Sequence, residues 1–226
     1  MRGILATSGV GAGDQVLEVG CGTGQLTRQL VPFGLALTAI DLGPAMVATA
    51  RRAVGEAGAG VDWRVTAFED LDAPGGSFGL VVSATAFHWI DPDVGWAKAA
   101  RLLRPGGWLA VIATREVYDE PVGSAVRNLY VRLGDDGAWV DRSRGPAEAL
   151  AATGLFDPAV ERSAAERDTL PAVTVVGLEH TRATTLHFDD GTRSVFRADL
   201  RELLAGRPEI GLERQTTLTM ARVRGS

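Results

Sequence analysis

The segment at residues 16–24, with the sequence VLEVGCGTG, decides the fold because it joins an apolar run directly to a helical pattern through three alternating glycines. Residues 15–19 predict a buried strand, and residues 24–31 predict a helix from the spacing of Leu26 and Leu30. Glycines allow a tight turn and let a ligand approach without an intervening Cβ atom, while the following helix presents free N–H groups. We therefore expect a ligand at this turn, the alternative being a plain strand-to-helix connection.

The same alternation continues along the first half of the chain. Helices are predicted at 44–52 and 94–103, and further strands at 36–41, 61–66, 78–83 and 108–113. Strands that alternate with helices at this spacing imply right-handed crossovers and a parallel sheet covered on both faces. The fold class predicted from the pattern is therefore α/β, with a doubly wound sheet.

The second half of the chain has a different pattern. Two long stretches of alternating polar and apolar residues, 160–170 and 212–223, predict strands that pair antiparallel at the sheet edge. The remaining segments predict a polar loop at 134–145 and helices at 117–133, 146–153, 172–186 and 192–204. Neither a repeat nor a linker rich in Pro, Gly or Ser divides the chain, so we expect one domain over residues 1–226.

Composition limits the classes of function. Hydrophobic residues make up 46% and charged residues 23% of the chain, as in globular proteins, and the net charge is -5 without a long basic run. Nucleic acid is therefore an unexpected partner. The single cysteine, Cys21, has no internal disulfide partner, residues 1–6 are too short for a secretory signal, and no run approaches the roughly 20 apolar residues of a membrane helix. We expect a cytoplasmic protein that does not bind membranes.

Glycine spacing separates two kinds of cofactor. Gly20, Gly22 and Gly24 occupy the first, third and fifth positions of the loop, whereas the dinucleotide fingerprint needs a glycine at the sixth, where Gln25 stands. Seventeen residues after Gly24 the second strand ends at Asp41. Its two carboxylate oxygens suit the two hydroxyls of a ribose, although an Asp at a strand end also caps the next helix, and the two roles can coexist.

These segments resemble those of the class I S-adenosylmethionine-dependent methyltransferases. Residues 16–24 are similar to their first motif and Asp41 to their ribose-binding acid, while residues 67–71, 78–83 and 102–109 resemble the adenine-bracketing segment, the fourth strand and the entry to the fifth strand. The resemblance covers about residues 14–114. It implies a Rossmann-like, seven-stranded, mostly parallel sheet with an antiparallel edge strand, in which residues 1–114 bind the cofactor and residues 115–226 supply cap helices and closing strands.

The resemblance also implies the cofactor, S-adenosylmethionine, and the residues that bind it. The backbone at Gly20 and Gly22 is expected to approach the methionyl portion, Asp41 to bind the ribose, Leu42 or Met46 to pack on the adenine, and the Phe68 N–H to meet the ring. Other residues of the matched segments complete the expected set: Glu18, Gly24, Glu69 and Ser83.

Two positions depart from the family pattern. Ala67 stands where an acid often precedes the adenine-bracketing position, so any side-chain contact to the adenine amino group must come from Glu69 or be absent. Gly79 stands where an acid often precedes the fourth strand, which we interpret as a lost cap. Only residues 1–13 precede the first strand, so we expect either a longer natural N-terminus or a cofactor site more open than usual.

The segment AFHWID at residues 86–91 resembles the Phe-His-Trp signature of a small-molecule subgroup that includes trans-aconitate methyltransferase-like proteins. His88 is a candidate general base near neutral pH, the alternative being a buried histidine that ties the loop to the cap. Trp89 is expected either in the core or on the acceptor wall. Further acceptor-binding candidates, each with a purely structural alternative, are Arg115, Tyr118, Tyr130 and Trp139.

The sequence thus predicts a small-molecule methyltransferase, monomeric or homodimeric. His180 and His187 lack a metal-ligand spacing, so no metal site is expected. Two alternatives stay open: a non-catalytic cofactor-binding module with a regulatory role, and a nucleotide-dependent oxidoreductase, which the glycine spacing opposes.

Overall fold

A computed structural model of the chain describes residues 1–134 and 145–225. The predicted loop at 134–145, with Trp139, lies almost wholly outside the described residues. The chain divides into two compact units: unit 1 comprises residues 1–113, 144–163 and 217–226, and unit 2 comprises residues 114–143 and 164–216. The single domain over residues 1–226 stays a prediction.

The strands and helices follow the predicted alternation. The strands are β1 (Gln15–Val19), β2 (Ala36–Asp41), β3 (Asp62–Val65), β4 (Phe78–Ala84), β5 (Leu103–Tyr118), β6 (Val160–Pro171) and β7 (Glu209–Arg222). The helices are α1 (Arg2–Ser8), α2 (Gln25–Leu30), α3 (Pro44–Val54), α4 (Pro92–Leu102), α5 (Val122–Arg132), α6 (Pro146–Thr153), α7 (Ala172–Thr181), α8 (Ala183–His187) and α9 (Asp190–Leu203).

The seven strands form one sheet in the order β3-β2-β1-β4-β5-β7-β6. Pairing is parallel from β3 through β5. In unit 1 the side chains of Glu161 and Ser163 on β6 bond to Thr219 and Thr217 on β7, respectively, so these two strands run in opposite directions. The predicted α/β fold with a mostly parallel seven-stranded sheet is confirmed.

The inner parallel strands β1, β2 and β4 are buried on both faces in unit 1, whereas the edge strand β3 is mostly exposed. One apolar cluster contains Leu17, Val81 and Leu109, and another contains Val16 and Leu80. Because side chains alternate between faces along a strand, neighbouring residues in different clusters place apolar cover on both sides of the sheet. The uninterrupted apolar runs in the sequence reflect this double burial.

Two predicted helix boundaries were wrong. The helix predicted at 117–133 begins at Val122, because β5 continues to Tyr118 and Pro121, which has no N–H, precedes the first helical turn. The helix predicted at 172–186 is two helices, since Arg182 has an extended backbone with ψ 142°. The first strand is also preceded by the short helix α1, which the sequence analysis did not predict.

Candidate functional site

The glycine loop follows β1 and has left-handed backbone at each of its three glycines, with φ of 73° at Gly20, 53° at Gly22 and 88° at Gly24. A Cβ atom at Gly20 would collide with the Cβ of Ala86, and one at Gly24 would lie 3.1 Å from Ala50. A Cβ at Gly22 would meet no atom within 4 Å. Packing inside the protein therefore explains Gly20 and Gly24, whereas Gly22 faces open space that a ligand can fill.

Asp41, at the end of β2, holds this loop. Its Oδ2 accepts a hydrogen bond from the Gly22 N–H at 2.9 Å, and its Oδ1 accepts one from the Gly43 N–H at 2.9 Å. The carboxylate thus fixes the loop and the N–H of Gly43 just before α3. Gly43 is itself the N-cap of α3 and, among the described residues, no side chain caps this helix, so the predicted capping role of Asp41 was wrong. A carboxylate oxygen accepts two hydrogen bonds, so each oxygen retains capacity for a ligand hydroxyl.

Two apolar side chains lie exposed beside Asp41. Leu42 is 70% and Met46 43% exposed, at the carboxyl end of β2 and in the first turn of α3. In an open α/β sheet ligands bind outside the carboxyl ends of the strands. Exposed apolar side chains at this position suit a flat aromatic group of a ligand.

Glu18 lies buried on β1, two residues before the loop. Its side chain is 1% exposed, and its Oε2 has no hydrogen-bond partner among the described residues. Burial raises the pKa of Glu18 to about 7, with Thr27 opposing the shift and the Asp41 charge adding to it. Burial likewise raises the pKa of the Cys21 thiol to about 12, so this cysteine is not a thiolate nucleophile near neutral pH.

The segment at residues 67–71 is tied to the start of α4. Glu69 Oε1 accepts a hydrogen bond from the Asp91 N–H at 3.1 Å, and the Glu69 carbonyl accepts one from Lys98 Nζ at 2.6 Å. The ring of Phe68 is buried, with its centroid 5.9 Å from that of Phe87. Sequence reasoning did not predict the Glu69–Asp91 link.

A short 3-10 turn, Phe87–Trp89, follows β4 and carries the candidate base. Phe87 is buried against Trp96, with ring centroids 4.6 Å apart, while His88 is exposed and Trp89 is 44% exposed. The rings of His88 and Trp89 lie 5.0 Å apart. The alternatives in which His88 is buried and Trp89 belongs to the core were therefore wrong.

Ser83, on β4, has a structural contact. It is fully buried, and its hydroxyl donates to the Val19 carbonyl at 2.9 Å, which ties β4 to β1. The structure thus collects the predicted cofactor residues and His88 in unit 1. Their roles toward a ligand stay predictions.

The acceptor candidates Arg115 and Tyr118 belong to unit 2. Arg115 is exposed within β5, whereas Tyr118 is buried and donates its hydroxyl to Glu179 Oε1 at 2.6 Å. Tyr130 donates to Glu179 Oε2 at 2.7 Å, and Arg182 Nε donates to Oε1 at 2.6 Å. Burial, followed by the Glu179 charge, raises the pKa of both tyrosines. Sequence reasoning missed Glu179, because a single acid within a helical pattern carries no signal of burial.

Among residues 1–134 and 145–225, no group of three His, Cys, Asp or Glu side chains is placed to hold a metal ion. Within the same part of the chain, no helix is both long and apolar enough to cross a membrane.

Residues 17–111 match a protein family described as a methyltransferase domain. This stretch is similar to a methyltransferase domain over less than half of the chain. The matched residues run from β1 into β5 and include the glycine loop, Asp41, Glu69 and His88. The remainder of the chain lies outside the match.

The chain is similar in sequence to proteins named as methyltransferases. The chain is 44% identical over 100 residues to a ubiquinone biosynthesis O-methyltransferase of Xanthomonas axonopodis pv. citri, a match that covers 43% of this chain and 42% of the relative. It is 36% identical over 126 residues to an uncharacterized methyltransferase of Mycobacterium tuberculosis, covering 56% of this chain and 49% of the relative. The chain thus spans less than half the length of the curated relatives that it matches.

Solved structures share the fold along the whole chain. The YcgJ protein of Bacillus subtilis has a TM-score of 0.63 at 18% identity, covering 100% of this chain and 98% of its own. A Haemonchus contortus phosphoethanolamine N-methyltransferase 2, solved in complex with S-adenosyl-L-methionine, has a TM-score of 0.55 at 20% identity over 99% of this chain and 52% of its own. The described fold is therefore shared with both solved proteins.

Proposed function

We propose that the protein is an S-adenosylmethionine-dependent methyltransferase with a small-molecule acceptor. The observation that carries the proposal is the open space beside Gly22, whose backbone is fixed by Asp41 within the matched methyltransferase domain. The likeness to a methyltransferase solved with S-adenosyl-L-methionine supports the choice of cofactor.

The residues around that space fit the proposed cofactor. The backbone at Gly20 and Gly22 receives the methionyl portion, and the remaining lone pairs of Asp41 receive the ribose hydroxyls. Leu42 and Met46 supply apolar surface for the adenine, and the backbone N–H of Phe68 meets its ring. The bound cofactor supplies a methyl group attached to a sulfonium sulfur. The thioether that remains after transfer of the methyl group is neutral, so this leaving group needs no protonation.

Protein side chains then have two tasks, to position the acceptor and to receive its proton. In-line displacement needs the acceptor atom opposite the sulfur, in a site that excludes water. His88 is the proposed base, since its exposed imidazole follows β4 at the same carboxyl edge of the sheet and imidazole is the commonest general base in enzymes. Trp89, beside it, supplies a wall for the acceptor.

Finer assignments follow from the same resemblance. The Phe-His-Trp segment favours the small-molecule subgroup that includes trans-aconitate methyltransferase-like proteins. Arg115 is proposed to bind a carboxylate of the acceptor. Tyr118 is proposed to contribute to the acceptor-binding site. We further propose a cytoplasmic enzyme that acts as a monomer or homodimer and binds neither nucleic acid nor membranes.

A comparison of ligands tests the proposal. S-adenosylhomocysteine should raise the melting temperature of the chain, and nicotinamide cofactors should not. Screening of candidate acceptors with methyl-labelled S-adenosylmethionine then identifies a methylated product. Stabilisation by a nicotinamide cofactor alone would indicate an oxidoreductase, and tight cofactor binding without turnover of any acceptor would indicate a regulatory module.

A further inference from the structure

A groove in unit 2 lies between α7 and α9 and has a volume of about 490 Å³, within the range of small-molecule sites. Ala172, Val173, Val176, Gly177 and Leu204 form its apolar part, and His180, Arg197 and Arg201 form its polar part. We propose that this groove binds an amphiphilic anion, meaning a carboxylate or phosphate group carried on an apolar tail. This proposal does not depend on the methyl-transfer function.

The charge of the groove comes from two arginines on α9. Arg197 and Arg201 are four positions apart, so they lie on the same face of the helix, and neither has an ion-pair partner within residues 1–134 and 145–225. The neighbouring acid on this helix, Asp199, is paired with Arg132. Like charges at this spacing disfavour a helix, and an anion between them removes that repulsion.

The apolar part of the groove is a reason to expect a tail. Val173 is 78% exposed, an unusual extent for a branched aliphatic side chain, and it adjoins Val176 and Leu204, which are nearly buried. An apolar tail that covers Val173 removes this surface from water. A small inorganic anion would leave it uncovered.

His180 adds a polar group with an unmet hydrogen bond. It lines the groove, and its Nδ1 is buried with no hydrogen-bond partner in the described part of the chain. Buried polar atoms in proteins are almost always paired, so an unpaired one calls for an explanation. The part of His180 that lines the groove adds a hydrogen-bonding group beside the two arginines for a ligand head.

Calorimetric titration of the full chain tests the proposal with defined probes, all used below micelle-forming concentrations. Octanoate has a carboxylate head and octyl phosphate has a phosphate head, each on an alkyl tail of similar length. Octylamine and octyl glucoside replace the head by a cation and by a neutral group, while acetate and inorganic phosphate lack the tail. We expect binding of octanoate, octyl phosphate or both, which identifies the head, and at least about tenfold weaker binding of the other four probes.

Variants locate the binding. The double variant Arg197→Gln/Arg201→Gln should weaken binding of the probe at least about tenfold, because hydrogen bonds between the arginines and the anionic head are lost. Val173→Ser should also weaken it, because apolar burial of the tail is lost without a new charge. Arg207→Gln is the matched control, since Arg207 lies beyond α9 and does not line the groove. It should leave affinity unchanged. All altered side chains are exposed, so melting temperatures should stay close to that of the parent chain.

Four results would overturn the proposal. They are the absence of binding for both anionic amphiphiles, equal binding of any of the other four probes, unchanged affinity in the double arginine variant, and an equal loss in Arg207→Gln. None of these results bears on cofactor binding, which S-adenosylhomocysteine reports separately.

Discussion

Asp41 accepts a hydrogen bond from the backbone N–H of Gly22, with its Oδ2 2.9 Å from that nitrogen, although the two residues are 19 positions apart. The acid proposed to bind the ribose therefore also fixes the loop proposed to receive the methionyl portion. Any change at Asp41 acts on both halves of the cofactor site.

Replacing Asp41 by Ala should weaken S-adenosylhomocysteine binding roughly 10- to 100-fold, since a hydrogen bond to a charged group contributes about 1.5 to 3 kcal/mol. It should also lower the free energy of unfolding by about 1 to 3 kcal/mol, because the Gly22 and Gly43 N–H groups lose their acceptor. Calorimetry and urea denaturation measure the two effects. Asp62→Ala, which breaks only an exposed pair with Arg64, is the control, and unchanged affinity in Asp41→Ala would remove Asp41 from the site.

Glu18 should make stability depend on pH. Its pKa is raised to about 7 in the folded chain from 4.5, so its protonated form stabilises the fold fully below about pH 4.5, and this contribution is lost as pH rises to about 7. The expected loss is about 1 to 3 kcal/mol of unfolding free energy. Glu18→Gln should abolish this part of the pH dependence, whereas the exposed Glu56→Gln should retain it. Parallel pH profiles for the parent and Glu18→Gln would contradict the raised pKa.

His88→Asn should lower turnover by about 100-fold or more while leaving S-adenosylhomocysteine affinity nearly unchanged. Because His88 is exposed, the melting temperature should change little. Normal turnover in the variant would exclude His88 as the base.

Tyr118→Phe separates a structural from an acceptor-binding role. Loss of the hydroxyl removes a donor from the buried carboxylate of Glu179, so the free energy of unfolding should fall by about 1 to 2 kcal/mol in urea denaturation. Turnover at saturating acceptor should change little. Unchanged stability together with a raised acceptor KM would place the hydroxyl against the acceptor instead.

The fold was predictable because strands buried on both faces give uninterrupted apolar runs, such as the run at β4, and because the glycine loop identifies the first crossover. The helix boundaries near Tyr118 and Arg182 were not predictable from the sequence. Tyr118 extends a strand in unit 2, where its burial and its bond to Glu179 outweigh the helical spacing of the following residues. Arg182 interrupts a helical pattern and pairs with Glu116 and Glu179.

The site was predictable only in its residue types. Asp41, Gly22 and His88 stood out by position, but the bonds that arrange the site did not. Glu69 bonds to the Asp91 N–H 22 positions away, and Tyr118 to Glu179 61 positions away. Such pairs depend on how distant segments pack in the folded chain, and a single sequence shows no local pattern for that packing.

Titration of S-adenosylhomocysteine into the parent chain and into Gly22→Val tests the central claim most directly. A Cβ at Gly22 would have no atom within 4 Å outside its chain neighbours, so the loss of stability should come from its φ of 53°. That loss should be about 1 to 2 kcal/mol or somewhat more for the β-branched Val, while the side chain enters the space proposed for the cofactor. We predict measurable binding to the parent and none to a folded Gly22→Val. Equal affinity in both, or no binding to the parent, would contradict the cofactor site proposed here.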